Sequence, residues 1–177
     1  MIIVVQWKIL IGNKKIKKYM KSLTQSIKES IQSRLNEAKI APKDLKLFWK
    51  WIDSVGAEDM IKEINKDESG EPLYQKAAKL GTTAEQFNTF SEIFYSLASD
   101  MLEVIENDDP DMSDDGCQYA SWSAPFYGEK AFNKALKSGD WYSICDEYEG
   151  EQVGYAMTDY EYSDYLADKN LEPKGFK

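Results

Sequence analysis

Histidine is absent from the 177 residues. Without an imidazole to move a proton or hold a metal, Ser-His-Asp triads, Cys-His pairs, zincin sites and histidine-ligated haem, zinc or copper are all excluded. Arginine is nearly missing too, since Arg34 is the one guanidinium among 22 basic residues. Bidentate guanidinium contacts dominate the reading of guanine and of phosphate clusters, so no specific nucleic-acid recognition is expected. The lysines of residues 8–21 would support only weak, salt-sensitive binding. Cys117 and Cys145 stand 28 residues apart with no C-x-x-C spacing, which excludes structural zinc and iron–sulfur clusters and reads as two reduced thiols. Neither G-x-G-x-x-G nor G-K-[ST] occurs, so no nucleotide cofactor has a visible cradle. Long apolar runs are lacking as well. The strongest, Ile2–Ile11, is interrupted by Gln6 and Lys8 and falls far short of the roughly 20 residues of a membrane span. Its lysines follow the run instead of preceding it, so neither a membrane anchor nor an export signal is expected, and a cytoplasmic location is.

What is present suffices for one folded domain. Hydrophobic residues make up 42%, aromatics 13% and charged residues 30% of a 20.3 kDa chain, enough apolar surface to offset the entropy of ordering it. The net charge of -9 is unevenly spread. Residues 1–50 carry twelve basic against three acidic side chains, a balance of +9, while residues 51–177 carry a balance of -18. An acidic body of this kind invites a basic partner.

Periodicity is helical almost throughout. Leu23, Ile27, Ile31 and Leu35 form an apolar stripe that ends near Ile40, and Pro42 opens a helix over Lys43–Ser54 that Gly56 closes. Met60, Ile61 and Ile64 predict a shorter helix, and another runs from Pro72 to Leu80 before Gly81. Thr82-Thr83-Ala84-Glu85 reads as a capping box in which the Glu85 carboxylate reaches back. Phe87, Phe90, Phe94, Leu97, Met101 and Ile105 then follow on one face, predicting a central core helix of five to six turns. Asn107–Asp111 reads as a loop. Helical pieces are expected over Cys117–Ala124, Glu129–Lys137, Trp141–Tyr148 and Gln152–Asp168. The fold class is therefore mostly α, a single-domain helical bundle of seven or eight helices over residues 20–177. A basic and apolar arm or short strand over residues 1–19 precedes it.

Phe48-Trp49-Lys50-Trp51-Ile52-Asp53 and Ser113-Asp114-Asp115-Gly116 resemble the bacterial family known as domain of unknown function 4240. That family has an F-W-x-L-I-D opening helix, a long acidic-aromatic helix, and an S-D-D-G turn leading into another helix. Thr82–Leu102 takes the place of the long helix, and Gly128, Phe132, Ala135 and Leu136 fall where the family has G-x-x-x-[FY]-x-x-A-L. After S-D-D-G the family shows F-x-x-F-R-x-W, where this chain has Cys117, Ala120, Ser121 and Ser123, with Trp122 one place early. The resemblance implies a mainly helical cytoplasmic protein and brings with it no activity, cofactor or partner.

Three constellations could carry chemistry. The run Asn107–Gly116 concentrates carboxylates on which a hard cation could sit, with Asp111, Ser113, Asp115 and Gly116 at EF-hand positions one, three, five and six. Trp122, however, occupies position twelve, where a glutamate is required. A solvated loop in which Ser113 or Asp114 caps the next helix is the simpler reading. Paired carboxylates for acid–base work are available among Asp108, Asp111, Asp114, Asp115, Glu147 and Glu149, with no apolar pocket to raise any one of them. The third constellation is the acidic, tyrosine-rich last third of the chain, suited to protein contacts because tyrosine offers flat area and a hydroxyl at low entropy cost. The sequence thus points to a non-catalytic interaction module of the inhibitor or immunity type. It would meet a basic protein partner through Asp108, Asp109, Asp111, Asp114, Asp115, Tyr119, Trp122, Glu147, Tyr148 and Glu149. The alternative is a metal-dependent or carboxylate-based enzyme centred on the Asp108–Asp115 loop.

Overall fold

The computed structural model describes residues 41–145 and 147–177. The arm over residues 1–19 and the stripe from Leu23 to Leu35 lie outside the described residues. Eight α-helices and one 3₁₀ helix follow in order: α1 Pro42–Val55, α2 Ala57–Asp67, α3 Glu71–Lys79, α4 Ala84–Asp108, α5 Asp114–Ser123, the 3₁₀ turn Ala124–Tyr127, α6 Gly128–Ser138, α7 Glu147–Ala156 and α8 Asp159–Asp168. No strand occurs among the described residues, and the architecture is a helical bundle.

The 25-residue α4 runs through the middle. Its apolar stripe of Phe87, Phe90, Phe94, Leu97, Met101 and Ile105 is wholly buried, each ring contributing about 1.5–3 kcal/mol by leaving water. α1, α5, α6 and α8 all pack on it. At its N-terminal end the rings interlock: Trp51 meets Phe87 edge-on at 5.8 Å and Phe90 at 5.1 Å, and Phe87 stacks on Tyr162 at 4.3 Å. Two of these rings carry a polar atom into the core, and both atoms are met by Thr82. Its hydroxyl accepts from the Trp51 indole at 3.0 Å, and its carbonyl accepts from the Tyr162 hydroxyl at 2.7 Å.

The capping box exists one residue later than the sequence suggests. Thr83, not Thr82, is the N-cap, and the side-chain amide of Gln86, not the Glu85 carboxylate, reaches back to it. Thr82 is unavailable because Trp51 holds it in the core. α4 also runs past its expected end to include Asn107 and Asp108, since Ile105 remains buried and the next break comes only at Pro110.

Two further expectations fail. Trp141–Cys145 is a turn, not a helix, because Trp141 and Ile144 bury their side chains while Ser123 Oγ captures the Ile144 carbonyl at 3.2 Å. The segment Gln152–Asp168 is broken at Met157–Thr158 into α7 and α8. There Ser91 Oγ donates to the Met157 carbonyl at 2.6 Å, diverting it from the helix ladder.

Among the described residues α5 and α7 meet along the most intimate seam. A Cβ at Gly150 would run into the Tyr119 main-chain carbonyl, and one at Gly154 into the Trp122 indole. The two glycines lie four apart and so share a face of α7, which lets backbone touch backbone at Gly150 and seats the Trp122 ring at Gly154.

A candidate interaction surface at the α4–α5 corner

The chain turns between α4 and α5 through Asp109–Ser113, and the expected aspartates collect at this corner. Asp108, Asp111, Asp114 and Asp115 are exposed and Asp109 is half-buried. Among the described residues none of the five is within 4.0 Å of a lysine or arginine ammonium.

Their local reasons differ. Asp114 and Asp115 lie in the first turn of α5, where carboxylates complement the free N–H groups and the positive end of the helix dipole, and Ser113 Oγ accepts from the Gly116 N–H at 3.1 Å to complete the cap. Asp108 lies at the opposite pole of α4, whose last turn has no basic residue. Negative charge there opposes the dipole and costs a few tenths of a kcal/mol. What holds it is a pair of aromatics from 33 residues downstream. The Trp141 indole donates to Asp108 Oδ2 at 3.1 Å, and the Tyr142 hydroxyl donates to Asp109 Oδ2 at 3.2 Å. The two rings stack at 3.7 Å, Trp141 buried and Tyr142 62% exposed. Desolvation, then the Asp109 hydrogen bond and the charges of Asp109 and Asp108, raise the Tyr142 phenol above its ordinary value.

Asp114, Asp115 and Gly116 are helical. The run is thus a loop in which Ser113 caps the next helix, the simpler of the readings its sequence offered, and not a calcium loop in EF-hand register. Among the described residues no group of three or more carboxylates or thiols is arranged to hold a metal ion. Behind the corner Cys117 is a buried free thiol, raised first by desolvation and then by Glu106, Asp109 and Asp114. Cys145, also free, is pushed up to about 12 by burial alone.

Asp115, Tyr119 and Trp122 follow at helical spacing along α5. Trp122 lies among Tyr95, Tyr119 and Tyr155, with ring centroids 5.5–6.3 Å away. Tyr155 is 47% exposed, while Trp122 is half-buried over Gly154, so its first role is packing. Tyr119 is raised to about 12, first by its hydrogen bond with Tyr155 and then by desolvation. Glu147, Tyr148 and Glu149 fall in the first turn of α7, and their side chains lie outside the described residues. Sequence reasoning missed Trp141 and Tyr142 as members of the surface, because a helix over 141–148 would have carried them away from α4. The usable signal was a tryptophan–tyrosine pair just after Gly139-Asp140.

No helix among the described residues is long and apolar enough to cross a membrane. No family model, curated protein or solved structure matches the chain.

Proposed function

We propose that the protein is a cytoplasmic, non-catalytic interaction module of the inhibitor or immunity type, and that the α4–α5 corner receives a basic protein partner. The observation that carries this reading is the exposed Tyr142 ring, stacked on buried Trp141 and tied to Asp109 beside aspartates that no described cation neutralises. A rigid aromatic next to carboxylates supplies contact area, while the carboxylates speed encounter with positive charge. Asp108 and Asp109 add to the argument, since negative charge at the C-terminal pole of α4 does nothing for the helix. Kinship with the domain of unknown function 4240 family belongs to the same proposal. It is supported by the use made of the two shared motifs, with Phe48, Trp49 and Ile52 in the core and Ser113–Gly116 as the capped start of α5.

The test is a titration of the full chain with a lysine-rich peptide, followed by amide chemical shifts at low and high salt. Replacing Asp108, Asp109 and Asp111 by Asn should weaken binding about tenfold. Neutralising three acids on α2 (Glu58→Gln, Asp59→Asn, Glu63→Gln) should change it little. Equal losses from both sets would leave the corner with no claim beyond net charge.

A further inference from the structure

Beyond α8 the chain does not trail away. It crosses the end of α3 and returns to the N-terminal end of α4, where three consecutive residues are gripped through their main chain. The Gly175 N–H donates to the Gly81 carbonyl at 2.8 Å. The Gln86 side-chain amide both accepts from the Phe176 N–H at 2.8 Å and donates to the Phe176 carbonyl at 2.9 Å. Lys50 Nζ donates to the Lys177 carbonyl at 2.6 Å and lies 5.7 Å from the Phe176 ring centroid.

This is the pattern by which an antiparallel strand pairs with a neighbour, one residue exchanging both of its main-chain bonds, except that a glutamine side chain stands in for the second strand. Peptide-recognition sites that add a strand work in the same way, taking affinity from main-chain bonds and selectivity from one inserted side chain. Here the inserted side chain is Phe176, 9% exposed. The residue before it must be glycine in this pose, because Gly175 has φ +105°.

The stretch leading to this grip is held differently. Leu171, Glu172 and Lys174 are exposed, and Leu171–Pro173 line one side of an open surface cavity of about 380 Å³ that Gln75, Ala78 and Lys79 of α3 line on the other. The segment is fastened at both ends, by the Leu171 N–H on the Leu166 carbonyl at 2.9 Å and by the grip at Gly175–Lys177, and between them only side chains that face water are found at Glu172 and Lys174.

We propose that the cleft formed by Lys50, Gly81 and Gln86 is a peptide-binding site for an extended segment with glycine followed by an aromatic residue, and that residues 171–177 occupy it as a detachable strap. Opening removes the main-chain bonds and one ring while the Trp51–Phe87–Phe90 cluster stays closed. The site is separate from the α4–α5 corner, at the other end of α4, so it stands or falls independently of the partner proposed there.

Two measurements decide it. In the full wild-type chain the Gly175 and Phe176 amides should exchange with solvent at least about 100-fold faster than the Phe90 amide, through local opening insensitive to low denaturant. Exchange at the Phe90 rate would mean the segment leaves only on global unfolding, and would overturn the proposal. In the full-length Phe176→Ala variant, whose own anchor is gone, a synthetic peptide with the sequence of residues 171–177 should bind at least about tenfold more tightly than the same peptide with alanine in place of its phenylalanine. Adding Gln86→Leu, which removes the two main-chain bonds, should weaken the phenylalanine peptide at least about tenfold. A folded Phe176→Ala chain that treats the two peptides alike would sink the proposal; if that variant does not fold, the wild-type exchange rates decide alone.

Discussion

The two ends of α4 hold similar polar groups and use them in opposite ways. At the N-terminal end Thr82, Thr83, Gln86, Trp51 and Tyr162 turn every hydrogen bond inward, onto the helix start, the core rings and the strap. At the C-terminal end Asp108 and Asp109 hold only Trp141 and Tyr142, and the remaining aspartates face water. The first end is polar because the fold requires it. The second is polar beyond what the fold requires, and that surplus is where a partner is to be sought.

Substitutions should separate the two ends, with the α5–α7 seam as the upper limit. Gly150→Ala drives a methyl group into the Tyr119 carbonyl, which cannot rotate away. It should lower stability by about 3 kcal/mol, read as a fall in the denaturation midpoint. Thr82→Val keeps the shape and the main-chain acceptor for Tyr162 but leaves the Trp51 indole N–H without its acceptor, for a loss of about 2 kcal/mol by chemical denaturation. A neutral result would mean that water reaches this end of the core and would weaken the contrast.

At the corner the sign should change. Asp109→Asn removes charge from the C-terminal pole of α4, so stability should hold or rise by about 0.3 kcal/mol. The same substitution should move the Tyr142 titration back toward the ordinary phenol range near 10, followed by tyrosinate absorbance. Because the folded protein raises these phenols, the stabilisation they give is complete below about pH 10. It is lost as pH climbs through the folded values, which for Tyr119 means about 12.

Much of this architecture was legible where its causes are local. Pro42 and Gly56 bound α1, and the phenylalanine and aliphatic spacing of α4 names six of its ten buried residues, passing over Ser91, Ile93, Ala98 and Asp100. What could not be read is held by contacts between residues far apart in the chain. Thr82 looks like a helix cap until Trp51, 31 residues earlier, claims its hydroxyl. Trp141 and Tyr142 look helical until Asp108 and Asp109 are found opposite them. Gln86 gives no sign that Phe176, 90 residues on, will lie against it. The aspartates of the candidate surface were visible as a run, and the aromatic pair that anchors them was not.

The seam between α5 and α7 has a consequence for how freely this protein can change. Since Gly150 sets the spacing of the two helices by main-chain contact and Gly154 seats the Trp122 indole, the outward residues of both other than Trp122 are relieved of any part in positioning them. A lineage could trade those outward side chains one after another and keep the platform in place, provided the two bare positions never acquire a side chain.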